Sequence, residues 1–132
     1  MPDDMDYLIA ETGNITVLAY PELLDRDSQN HQIWGYCLRI ENNSDELITL
    51  TQKNLRLTDE YGNDLYDCSV GFNGELPDLL PGEYFEYEQT AQTTGESSVL
   101  YGFCSAVTAK GEKLEINIPI INFSTGHSGC LN

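Results

Sequence analysis

Trp34, Tyr36, Leu38 and Ile40 stand two residues apart in one unbroken run, separated by Gly35, Cys37 and Arg39. Side chains of period two share one face of a β-strand, so these four large groups turn toward a core together. The pattern predicts a strand over about residues 31–41. Ile15, Val17 and Ala19 alternate with Thr16, Leu18 and Tyr20 in a first strand expected to stop at Pro21. Leu114, Ile116 and Ile118 form the inward face of a last strand over about 112–120, after the turn Ala109-Lys110-Gly111-Glu112. Nowhere do apolar residues recur at helical spacing over three turns.

The segments between are short. Residues 21–30 read as a polar loop with room for one helical turn, and Asn42-Asn43-Ser44-Asp45 reverses the chain. Ile48 and Leu50, then Leu55 and Leu57, continue the apolar face on what read as two short strands. Asp59-Glu60-Tyr61-Gly62-Asn63-Asp64 is a hairpin turn, with Gly62 or Asn63 supplying the positive φ. Further strands are expected near 64–69, 83–90 and 98–108. Seven or eight short strands punctuated by turns imply an all-β sandwich. The 132 residues suffice for one domain with its own core. The expected boundaries are a polar N-terminal leader at 1–12, the domain at 13–124 and a tail at 125–132.

The loop Gly71-Phe72-Asn73-Gly74-Glu75, followed by Pro77 and the turn Pro81-Gly82, cannot be helical, because the prolines remove amide donors and fix φ. This loop is expected at the surface, shaping a binding rim with Phe72 as an exposed anchor. Beyond the turn, Phe85 and Tyr87 share one strand face while Tyr84, Glu86 and Glu88 share the other. Tyr101 and Phe103 lie opposite Leu100, Cys104 and Ala106, the expected inward set. An outward patch of Tyr84, Tyr101 and Phe103 fits a binding surface as well as it fits ordinary cross-strand packing.

Gly35 through Glu46, with Ile40-Glu41-Asn42-Asn43-Ser44, together with Gly74-Glu75-Leu76-Pro77, Pro81-Gly82-Glu83 and Phe85-Glu86-Tyr87, resembles the ApaG domain family. The resemblance covers about residues 14–123 and continues through Leu100-Tyr101-Gly102, Gly111-Glu112 and Ile118-Pro119. It implies an antiparallel immunoglobulin/fibronectin-III-like β-sandwich. It also implies a non-enzymatic binding module, since relatives include bacterial proteins linked to magnesium/cobalt efflux and domains attached to eukaryotic adaptors. Two departures stand out. Family members carry Gly-x-Gly-x-x-Gly where this chain has Ser69-Val70-Gly71-Phe72-Asn73-Gly74, and an Arg-His-Trp-like triplet where it has Lys53-Asn54-Leu55.

Phosphate chemistry finds little support beyond that resemblance. A dinucleotide fingerprint needs a helix N-terminus after its glycines, and here Pro77 and a strand follow. Asp67, Glu75 and Asp78 would repel an anion. With 22 acidic against 6 basic residues and a formal charge of −16, nucleic acid and anionic membranes are poor partners. The acidic residues are dispersed, which fits a solvated surface. Asp25-Arg26-Asp27-Ser28-Gln29 opens like a calcium loop, but Asn30 stands where glycine is required and Tyr36 where glutamate is. His31 and His127 lie at no ligand spacing from a Cys or carboxylate, so neither metal nor cofactor is expected. No nucleophile, base and orienting group form a recognisable set.

Cys37, Cys68, Cys104 and Cys130 are widely spaced and expected to be free thiols. Trp34 precedes the first Cys instead of lying between two, so the immunoglobulin bridge is not expected. No apolar run reaches the ~20 residues of a membrane span. If Met1 is the native start, its acidic surroundings favour a cytoplasmic protein. The resulting expectation is a protein-binding domain, monomer or weak homodimer. The alternatives are a binder of a pyrophosphate-like group or divalent cation, and an extracellular immunoglobulin-like lipoprotein domain.

Overall fold

The computed structural model describes residues 7–27, 29 and 31–124. The strands are β1 (Leu8–Thr12), β2 (Ile15–Arg26), β3 (His31–Asn42), β4 (Ile48–Asp59), β5 (Asp64–Asp67), β6 (Asp78–Leu79), β7 (Tyr84–Thr94), β8 (Ser97–Thr108) and β9 (Lys113–Ser124). One antiparallel sheet runs β1-β2-β3-β7. The other runs β5-β4-β8-β9, with the short β6 on β4. No helix occurs among the described residues, hence none long and apolar enough to cross a membrane.

The strand count exceeds the expected seven to eight for traceable reasons. Residues 8–12, assigned to the leader from sequence, pair with β2 through a two-residue turn. Leu8 and Ile9 are exposed on this edge strand, so no buried alternation marks it. β2 continues through Pro21 to Arg26, replacing the loop expected at 21–30. The pairing with β1 ends at Ala19, so Pro21 sits where β2 is an edge and a missing amide is tolerated.

Three β-bulges explain the other differences. Thr51 is an extra residue in β4 opposite β8, which shifts the buried set from Ile48 and Leu50 to Lys53 and Leu55. One strand with a phase change therefore looked like two. Pro119 and Ile120 together oppose Tyr101, so β9 buries Ile116 and Ile118, then Ile121 and Phe123. That bulge carries the strand past residue 120. Leu24 is the extra residue of β2.

The sheets close over the alternating face of β3. Trp34, Tyr36, Leu38 and Ile40 are all buried with Ile116 and Ile118, while Leu114 packs at the margin. The Phe123 ring lies 5.2 Å from Trp34 and 6.2 Å from Tyr36. Along one flank the Asn117 amide of β9 donates to Thr12 Oγ1 of β1 at 2.9 Å. Along the other, the chain between β5 and β6 closes the gap between β7 and β4, and it carries the glycine loop.

Asn42 anchors that closure. It is fully buried, and its Nδ2 donates to the Leu79 carbonyl at 2.8 Å and the Glu46 carbonyl at 2.9 Å. Its Oδ1 accepts from the Ser44 amide and hydroxyl, and its carbonyl accepts from the Gly82 amide. The Asn-x-Ser and Pro-Gly-Glu signatures thus meet as one satisfied buried polar group.

Candidate binding faces and the glycine loop

Phe72-Asn73-Gly74-Glu75 forms a miniature hairpin. Phe72 and Glu75 exchange both backbone hydrogen bonds, at 2.8 and 3.0 Å. Asn73 (φ 53°) and Gly74 (φ 84°) take the two positive φ values of a type I′ turn, which Asn-Gly favours. Gly71 precedes it at φ 72°, with its amide on the Thr51 carbonyl at 2.8 Å. The amides of Gly71, Phe72 and Glu75 are therefore engaged inside the protein. They form no open nest for a phosphate.

Phe72 corrects the sequence expectation. Its ring is 1% exposed and meets Phe85 at 5.4 Å and Tyr87 at 5.2 Å, both edge to face. The turn carries Asn73, Gly74 and Glu75 to the surface and drives Phe72 under the closing loop. The ring is a core plug, because a large aromatic group gains more from burial than a rim position offers.

Beneath the plug lies Lys53, which opens the segment standing where family members carry the Arg-His-Trp-like triplet. It is buried, and its Nζ donates to Tyr87 Oη at 2.8 Å and faces Asp67 Oδ2 at 3.2 Å. The ammonium also sits 4.6 Å from the Tyr87 ring centroid. Ser69 Oγ donates to Asp67 Oδ1 at 2.7 Å. The two departures from the family pattern, Lys53 and Ser69, meet on one carboxylate. The cation is neutralised internally and does not project to a ligand.

Burial alone would lower the Lys53 pKa, but the hydrogen bonds it donates to Tyr87 and Asp67 outweigh it and hold the value above the ordinary one. Burial likewise acts to raise Asp67, and bonds from Ser69 and Lys53 overcome it, leaving the carboxyl below its ordinary value. A depressed carboxyl stabilises the fold above its unfolded pKa of ~4 and loses that contribution as pH falls through the folded value. Asp67→Asn should therefore cost about 1 kcal/mol at neutral pH, discounted because the Asp67 side chain is 43% exposed. Parallel denaturant titrations should show that difference vanish well below pH ~4. A difference independent of pH would remove the ion pair from the explanation.

The predicted aromatic patch divides between the sheets. Tyr84 stands on β7, on the outer face of the four-stranded sheet, with the Arg39 guanidinium 3.6 Å above its ring. Tyr101 and Phe103 stand half-buried on the outer face of the five-stranded sheet. There Tyr66, Arg56 and Tyr101 occupy one register row across β5, β4 and β8. Arg56 lies 4.8 Å from the Tyr66 ring and 6.0 Å from that of Tyr101. Its Nη2 donates to Asp64 at 2.8 Å, and this hydrogen bond raises its pKa further. Ile120, 61% exposed, extends the row on β9. Arg56, Tyr66 and Ile120 escaped the sequence reading because their alignment depends on register across β5, β4, β8 and β9.

The remaining chemistry is quiet. Burial pushes the Cys104 thiol up to about 12, with Lys53 opposing slightly, so it stays protonated at neutral pH. Cys37 and Cys68 are also unbridged, while Cys130 and His127 lie outside the described residues. Among the described residues no three His, Cys, Asp or Glu side chains converge as a metal site.

Architecturally this is an antiparallel β-sandwich of the immunoglobulin and fibronectin-III kind. Comparison with known proteins then specifies the family. The ApaG domain matches residues 22–108, and the chain belongs to the ApaG domain family. Protein ApaG of Parvibaculum lavamentivorans is 33% identical, covering 90% of this chain and 94% of its own. Protein ApaG of Rhodospirillum centenum is 34% identical, covering 88% and 92%. A Bordetella pertussis structure described as ApaA superposes with a TM-score of 0.81 at 23% identity, covering 86% of this chain and 95% of that one.

Proposed function

We propose that the chain acts by binding another protein, without catalysis, through the outer face of its five-stranded sheet. The observation that supports this is the Tyr66–Arg56–Tyr101 row. Tyr and Arg dominate binding hot spots, and here the guanidinium is already held by two rings and Asp64, so little side-chain freedom is lost on association. Phe103 and Ile120 add apolar area beside it. The formal charge of −16 favours a partner whose contacting surface is neutral or basic.

A photo-crosslinking residue at Phe103 should capture a discrete partner in native cells. The same residue at Thr16, on the outer face of the four-stranded sheet, should not. Adding Arg56→Ala and Tyr101→Ala should abolish the Phe103 product. Equal capture from both positions, or capture indifferent to the added changes, would refute this face.

A further inference from the structure

We infer that the outer face of the four-stranded sheet holds a second site, a seat for one arginine side chain of a protein partner, centred on Gly35. Tyr20–Cys37–Glu88 and Glu22–Gly35–Thr90 are adjacent outward rows across β2, β3 and β7. Gly35 contributes no side chain, and the sheet is hollowed there into a depression of about 360 Å³. The bulge at Leu24 lays that side chain over Gly35, its Cδ1 3.2 Å from where a Cβ at position 35 would stand, and the depression opens beside it. Leu24 and Tyr20 thus wall the depression, and Glu22 and Glu88 supply its charge. The depression is open enough to admit one long side chain lying along the sheet.

The same sheet shows what belongs in such a setting. Arg39, next but one outward of Gly35 on β3, stacks on Tyr84 with Glu41 at 3.1 Å and Glu86 at 3.8 Å. The Gly35 hollow repeats those components, one tyrosine and two glutamates, with glycine where the cation would originate. Among the described residues neither Glu22 nor Glu88 has an ion-pair partner. Burial, then Glu86 and Glu88, push the Cys37 thiol up, so the floor is neutral beneath a negative rim. A planar guanidinium can lie on the Tyr20 ring while offering hydrogen bonds to carboxylates on either side.

The inference shares with the preceding reading only that the occupant is a protein. Its test uses a short peptide of Ser, Thr and Val with one central arginine, titrated into the full chain and followed by backbone amide shifts. Saturable shifts should centre on Tyr20, Gly35, Cys37 and Thr90, and should disappear when norleucine replaces the arginine. Glu22→Gln with Glu88→Gln should weaken binding about tenfold or more, one decade of dissociation constant. Glu112→Gln with Glu115→Gln removes equal charge elsewhere and should leave affinity nearly unchanged. Arg56→Ala with Tyr101→Ala should also leave it unchanged, which separates this site from the opposite face. Equal losses from both glutamate pairs, undiminished norleucine binding, or equally tight binding of free arginine would overturn the proposal.

Discussion

Phe72→Ala is expected to destabilise the fold by about 3–5 kcal/mol, the range for a buried phenylalanine cut to alanine. The ring is nearly inaccessible and fills the space bounded by Phe85, Tyr87 and Lys53. Removing it leaves a cavity that the rigid hairpin at Asn73-Gly74 cannot collapse to fill. It also opens a route for water to Lys53 and weakens the contact that holds the closing loop on β7. Denaturant unfolding measures the loss directly. A change below ~1 kcal/mol, ordinary for a surface site, would return Phe72 to the exposed role that its loop position suggested. Phe103→Ala should show the opposite behaviour, with little change in stability and weakened partner binding.

Gly71→Ala should be the second severe change, costing about 2–5 kcal/mol. A left-handed φ costs an alanine ~1–2 kcal/mol, and pushing away the carbonyl that satisfies the buried Phe72 amide adds ~1–3. The geometry demands both terms, because a Cβ at Gly71 would collide with the Glu75 carbonyl oxygen that accepts the Phe72 amide. Gly74 is the internal control. Its φ is similarly positive, yet nothing lies within 4 Å of a Cβ there, so Gly74→Ala should cost only the ~1–2 kcal/mol conformational part. Equal effects at the two glycines in parallel melts would contradict the account of the loop as an inward-turned closure.

These two positions also show how far the sequence could be read. Period-two alternation identified β3 and its core face, since a strand packed on one side must bury every second residue. The alternation misled where a bulge shifts the phase, at Thr51 and at Pro119–Ile120, and it was silent on β1 and on β2 beyond Pro21, whose side chains are mostly exposed. Phe72 was misplaced for a different reason. A loop with two glycines and a phenylalanine is equally compatible with an anchor pointing out and a plug pointing in. The choice depends on Phe85, Tyr87 and Lys53, which only the closed sandwich brings together. Tyr101 and Phe103 were legible as outward residues. Their partners Arg56 and Tyr66 were not, because the row depends on register across three strands.

The most direct test of the account is the affinity of the captured partner for three purified chains, measured calorimetrically at fixed salt. The account predicts at least a hundredfold weaker binding, roughly 2.7 kcal/mol, for Arg56→Ala with Tyr101→Ala. It predicts unchanged binding for Asn73→Asp with Glu75→Gln, which alters the exposed tip of the glycine loop and leaves its positive-φ turn intact. Full affinity in the sheet-face variant, with binding lost in the loop variant, would contradict the central claim and move recognition to the glycine loop.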